Sequence, residues 1–146
     1  LWDRSPWASA VLNVTPNHLD RHPSMAAYAA AKQNIWRYQR RGDLALLGWD
    51  NEWTRRWYDQ LPAGVERLAF SLREEVPAGA WLAGDRLVYQ SPGGEAVPLF
   101  PRSAIRLRGE HNVLNVLAAA ALALAVGGTV DGVREVGTTF TGVAHR

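Results

Sequence analysis

The chain has 146 residues, 47% of them hydrophobic and 21% charged, the balance of one ordinary globular domain. A net charge of +2, with no basic stripe interleaved with aromatics, argues against a nucleic-acid binder, and the lack of cysteine excludes disulfides and thiolate metal sites. The longest apolar run, Val116 to Val126, is too short to span a bilayer and no signal peptide is visible, so a cytoplasmic setting without a membrane partner is expected.

Ala8 to Val14 reads as a short buried strand that stops at the Thr15-Pro16 step. His18, Asp20 and His22 follow at once. Ligands of open α/β sheets bind outside the carboxyl ends of the strands, and these side chains suit a divalent cation. A solvated surface turn is the alternative. Ser24 then caps a helix in which Met25, Tyr28, Ala29, Lys32, Ile35, Trp36 and Gln39 share an apolar face. Lys32 is the sole lysine, against 15 arginines. Either its stem packs while its ammonium reaches water, or it is a buried amine. A neutral amine can react with carbon dioxide to give a carbamate, which turns a cation into an anionic metal ligand; arginine cannot lose its proton in this way.

Leu44 to Leu47 is a second buried strand, and Asp50-Asn51 cap a helix carrying Trp53, Trp57 and Leu61. Strand, helix, strand, helix predicts parallel βαβ units, with Arg40-Arg41 and Arg55-Arg56 on solvated helix ends. From Arg67 the pattern changes to short strands. They cover residues 67–72, 80–83, 86–89, 96–99 and 105–107, with hairpin signals at Gly84-Asp85 and Pro92-Gly93-Gly94. These predict a small antiparallel insert. His111 to Val126 forms the longest helix, apolar almost all round and so central to the packing. Its polar exceptions are His111, Asn112 and Asn115. The two asparagines share a face, either as an N-cap and a satisfied core amide or as two amides reading the edge of a planar ligand. A last helix runs from Val130 to Phe140 with Val133, Val136 and Phe140 inward. The chain opens just ahead of a strand and stops at His145-Arg146 without a closing element, so a fragment of a longer protein is expected. It has no G-x-x-x-x-G-K-[ST] phosphate loop.

Four segments together resemble the Mur ligase family. They are Asn13-Val-Thr-Pro-Asn-His-Leu-Asp-Arg-His22, Tyr28-Ala-Ala-Ala-Lys32, Gly109-Glu-His-Asn-Val-Leu-Asn115 and Phe140-Thr-Gly-Val-Ala-His-Arg146. Their order and spacing match the central domain of these ATP-dependent amide ligases, with residues 60–104 carrying little of the match. The His18 to His22 run and the ending at Arg146 most resemble the members that add D-glutamate to UDP-N-acetylmuramoyl-L-alanine.

The resemblance implies an α/β fold with a mostly parallel sheet flanked by helices, a P-loop-type fold lacking its P-loop, plus the small antiparallel insert. It implies that His18 and a carbamylated Lys32 bind magnesium near the γ-phosphate and serve catalysis. Asn112 and Asn115 would lie near adenine, and Arg146 would contact ATP phosphate at the join to a C-terminal domain. ATP and Mg2+ are then the cofactors. The reaction is acyl-phosphate formation followed by attack of the D-glutamate amine, in peptidoglycan precursor synthesis. The phosphate loop would lie upstream of Leu1 and the D-glutamate-binding domain downstream of Arg146, so this polypeptide alone would have no ligase activity. Asn17 stands where the family usually has Asp before the histidine, which would weaken metal binding if that Asp tunes the ion's surroundings. Other readings are another Mur ligase or a folylpolyglutamate synthetase, a metal-dependent hydrolase built on Lys32, His18 and Asp20, and a non-catalytic nucleotide- or protein-binding module.

Overall fold

A computed structural model describes residues 4–15 and 24–142. The chain divides into two compact units, Leu1–Leu68 and Ala69–Arg146.

In the first unit, β1 (Ala8–Val11) pairs in parallel with β2 (Leu44–Gly48), Ala8 opposite Leu44 and Val11 opposite Leu47. A parallel pair needs a long crossover, and α1 (Met25–Gln33) lies within it. The Ser24 hydroxyl caps α1 as expected, accepting the Ala27 N–H at 3.1 Å. The helix is shorter than its apolar spacing predicts. After Gln33 the chain advances through turns, with Trp36 N–H bonded to the Gln33 carbonyl at 3.1 Å and Gln39 N–H to the Trp36 carbonyl at 3.0 Å. Gln39 supplies the physical reason. Its buried Nε2 lies 2.8 Å from the Leu44 carbonyl, 2.9 Å from that of Pro6 and 3.1 Å from the Ser9 hydroxyl. These bonds draw the trailing turns onto the strands. Ser5 adds a second tie, donating to the Asn34 carbonyl at 2.8 Å and accepting from Tyr38 N–H at 3.0 Å.

All five residues of β2 are buried, as expected of a parallel strand covered on both faces. The helix α2 (Glu52–Gln60) packs on β2 and buries Thr54, Trp57 and Tyr58. Trp57 meets Trp36 with ring centroids 5.9 Å apart. Arg56 pairs with Glu52 on the exposed side, and Arg55 lies over the Trp49 ring at 4.0 Å. The strand β3 (Glu66–Ser71) begins in this unit, where Glu66 N–H reaches the Asp43 carbonyl at 2.7 Å.

In the second unit, Ala69 to Ser71 of β3 pair in parallel with β4 (Gly79–Ala83). Gly79 has φ +124°, and any Cβ there would collide with the Ala69 carbonyl, so this crossing requires glycine. The strand β5 (Arg86–Gln90) returns antiparallel to β4, and β6 (Ala96–Pro101) pairs antiparallel with β5, with an irregular register between Leu87 and Val88. The expected class therefore holds: α/β, with parallel pairs followed by a small antiparallel part.

The expected strand at 105–107 does not form. A single 3-10 turn at Arg102–Ala104 follows β6, and Ile105 N–H closes it onto the Arg102 carbonyl at 3.1 Å. Arg106 Nε then bonds the Thr138 carbonyl at 3.0 Å, so this stretch fastens to a helix end instead of a ladder.

The helix α3 (Glu110–Ala125) packs on β4 and β5. It is central to the packing as expected, but it buries one face only, through Val113, Leu117, Ala118, Ala120 and Ala121, although its sequence is apolar almost all round. The helix α4 (Val130–Thr139) packs on α3 and β6. Arg134 fastens it, with Nε 2.9 Å from the Leu99 carbonyl and Nη2 2.8 Å from that of Pro98. Gly137 lies so close to the Phe100 ring that a Cβ would overlap it. Val136 and Phe140 were expected inward but are 62% and 45% exposed. They border an open cavity rather than a filled core.

Candidate functional site

Two places carry the residues that the sequence singles out, one in each unit.

The first is the chain's exit from β1. Val14 is buried, while Leu12 and Asn13 are exposed. Lys32, half-buried on α1, turns its amine toward this exit. Its Nζ lies 3.4 Å from the Asn13 carbonyl and 5.2 Å from the centre of the Tyr28 ring. Both neighbours are electron-rich, as an ammonium requires. Asn51 reaches the same segment from the other side. Its Oδ1 accepts the N–H groups of Trp53 at 3.1 Å and Thr54 at 3.2 Å, capping α2, while its Nδ2 donates to the Val14 carbonyl at 3.1 Å. Gly48 closes on Leu12, two residues before Val14, because a Cβ there would overlap the Leu12 carbonyl oxygen. The Thr54 hydroxyl donates to the Gly48 carbonyl at 2.6 Å and ties the end of β2 to α2.

His18, Asp20, His22 and Asn17, named as the metal-binding segment and its departure, lie outside the described residues, as does Arg146. Among the described residues no group of three or more His, Asp or Glu could hold a metal ion. Asn51 was read from the sequence only as a cap. Its link to Val14 joins positions 37 residues apart, and nothing in the local pattern signals it.

The second place is a cavity of about 650 Å³ between α3, α4 and the chain after β6. Asn112 and Asn115 both line it, so the predicted shared face is real. Neither is the N-cap, however. That position is Gly109, at φ +92°. Asn112 is half-buried, and its Nδ2 donates to the Arg108 carbonyl at 2.6 Å. Asn115 is exposed. The rest of the lining is apolar apart from Thr129, including Phe100, Val116, Val133 and Phe140. An apolar cleft with a few polar groups suits a small organic ligand.

One titration stands out. Burial pushes the Tyr58 phenol above its ordinary value, with Arg67 opposing the shift and Asp59 adding to it. Tyr58 stacks edge-on against Trp49 at 5.1 Å and belongs to the packing of α2, not to either place above.

Parallel strand pairs with a helix in the crossover, followed by antiparallel strands, define the class as an α/β domain. Residues 3–123 match the Mur ligase middle domain, and the chain belongs to that family. Among curated relatives it is 43% identical over 145 residues to the UDP-N-acetylmuramoylalanine--D-glutamate ligase of Acetivibrio thermocellus, a match covering 98% of this chain and 30% of that protein. The chain spans 28–30% of the length of the first such relatives. Its fold is similar to that of MurF from Acinetobacter baumannii, with a TM-score of 0.68 at 20% identity over 96% of this chain and 30% of the other. It is also similar to MurF ligase from Thermotoga maritima in complex with ADP, with a TM-score of 0.62 at 17% identity over 95% of this chain and 31% of the other. Among the described residues no helix is long and apolar enough to cross a membrane.

Proposed function

We propose that this chain is the central, ATP-binding part of a cytoplasmic ligase that joins D-glutamate to UDP-N-acetylmuramoyl-L-alanine during peptidoglycan precursor synthesis. The relatives named for this D-glutamate ligation support the choice of amino acid over another Mur ligase or a folylpolyglutamate synthetase. The observation that carries the mechanistic side is the aim of Lys32. Among 16 basic side chains it is the single lysine, and its amine lies at the exit of β1, where the chain runs on toward His18.

As a free ammonium, Lys32 would repel a cation at that place. As a carbamate, the same stem would present two oxygens sharing one negative charge and could share Mg2+ with His18. The ion would supply neutralisation of phosphate charge while a phosphoryl group moves to the substrate carboxylate. The chain's own task would be to hold these ligands, and the Ser24 and Asn51 caps that fix the starts of α1 and α2 beside the exit of β1 support that reading. Asn112 and Asn115 would read the edge of adenine, with the apolar wall of their cavity against its face. Arg146 would bind ATP phosphate. The phosphate loop and the D-glutamate-binding domain would belong to other parts of the longer protein, and we expect no ligase activity from this chain alone.

The test is phosphate release from ATP by the full-length protein. The reading expects release that requires both UDP-N-acetylmuramoyl-L-alanine and D-glutamate. Release driven equally well by L-lysine, or hydrolysis that needs no ATP, would overturn it.

A further inference from the structure

We infer that the cavity of the second unit is a binding site for a small, neutral, ring-shaped apolar compound, seated at the end away from Asn112 and Asn115. This goes beyond the ligase reading, which gives the asparagine end to adenine, and its test needs no turnover. Along α3, Asn115, Ala119 and Ala123 all line the cavity. Spaced four apart, they form one row on the helix. The row runs about 12 Å, or about two turns, past Asn115, and beyond that residue it carries only methyl groups.

The space is held open by polar bonds. The helix α4 has no fully buried residue, so packing alone does not set its place. Its middle is tied to β6 by Arg134, and its end by Arg106, which donates to the Thr138 carbonyl. At its start, Gly128 N–H bonds the Ala123 carbonyl at 2.8 Å. These ties keep α4 from settling into the gap. Val136 and Phe140 are left 62% and 45% exposed at its rim, and a ring placed there would cover apolar surface that water now touches.

The lining chooses the ligand. No charged side chain is part of it, and its third polar residue, Thr129, already uses its hydroxyl to cap α4. An ion seated at the far end would lose its water with nothing in return, and an extended peptide would bring backbone N–H and C=O groups that find no partners. A further helix is about 10 Å wide and cannot enter between two helices that already pack on each other. A cavity of about 650 Å³ suits a compound of two or so fused rings.

The experiment titrates the full-length protein with N-phenylnaphthylamine, an uncharged probe that fluoresces in apolar surroundings. The fluorescence should rise and saturate at about one probe per protein. Ala123→Phe, which puts a ring into the far end, should weaken binding roughly ten-fold or more. Phe140→Ala removes an exposed wall and should weaken it about five-fold; it decides the matter if Ala123→Phe does not fold. Asn112→Ala should leave the affinity unchanged. A naphthalene sulfonate should bind about ten-fold more weakly than the neutral probe. No saturable rise in fluorescence, as when another part of the longer protein fills the cavity, would overturn the inference. So would an unchanged affinity in a folded Ala123→Phe or in Phe140→Ala, a loss of binding in Asn112→Ala, or a sulfonate that binds as well as the neutral probe.

Discussion

Replacing Gln39 with leucine removes the tie that ends α1 while nearly conserving volume. The side-chain amide of Gln39 carries two protons, and its closest acceptors are the Leu44 carbonyl at 2.8 Å and the Pro6 carbonyl at 2.9 Å. The Leu44 bond is fully buried, so leaving that carbonyl bare costs about 2 kcal/mol. The Pro6 bond is only partly buried and should cost about 1 kcal/mol. Gln39 Oε1 is buried with no partner among the described residues, so removing it returns about 1 kcal/mol. The net expectation for Gln39→Leu is a loss of about 2 kcal/mol. Gln39→Ala adds an unfilled space and should lose about 4 kcal/mol. Urea unfolding followed by tryptophan fluorescence measures both, since Trp36 and Trp57 sit in the same core. A Gln39→Leu variant within about 0.5 kcal/mol of the parent would refute the account of why α1 stops at Gln33.

Gly48→Ala drives a methyl group into the Leu12 carbonyl, a backbone atom that cannot rotate away, and should cost about 1–3 kcal/mol in the same unfolding assay. Tyr58 gives a pH dependence. Its raised pKa means that the fold prefers the neutral phenol, so its contribution is present below about pH 10 and is lost as pH climbs through the higher folded value. Tyr58→Phe should flatten that alkaline limb, read as unfolding free energy against pH; an unchanged limb would reassign it to another group. Asn112→Ala and Asn115→Ala should each raise the KM for ATP of the full-length protein by about ten-fold, as expected for a lost hydrogen bond to a base, with the KM for D-glutamate unchanged.

The parts of the fold that could be read from the sequence are those where local signals agree with the tertiary outcome. Ser24, Asn51 and Gly84 sit at the cap and turn positions their residue types favour, and the unbroken apolar run of β2 is buried throughout. The misreadings arise where a distant partner overrides local pattern. The apolar spacing continues past Gln33, but Gln39 finds its partners on the strands, and the helix gives way. Ile105 to Leu107 have strand composition, yet Arg106 is taken by the end of α4. Val136 and Phe140 are apolar at helical spacing, and spacing alone does not distinguish a filled core from the rim of a cavity. At the candidate site, Lys32 stands out in the sequence because its residue type is unique in the chain. Asn51 was found only as a cap, because its second bond depends on how β1 and α2 meet.

The carbamate on Lys32 is the claim on which the chemistry turns, and carbon-13 NMR of the full-length protein equilibrated with labelled bicarbonate and Mg2+ tests it most directly. The account predicts one carbamate resonance, absent in Lys32→Arg, together with loss of activity in Lys32→Ala that added short carboxylates partly restore. No carbamate resonance in a protein that is fully active, or full activity in Lys32→Arg, would contradict it.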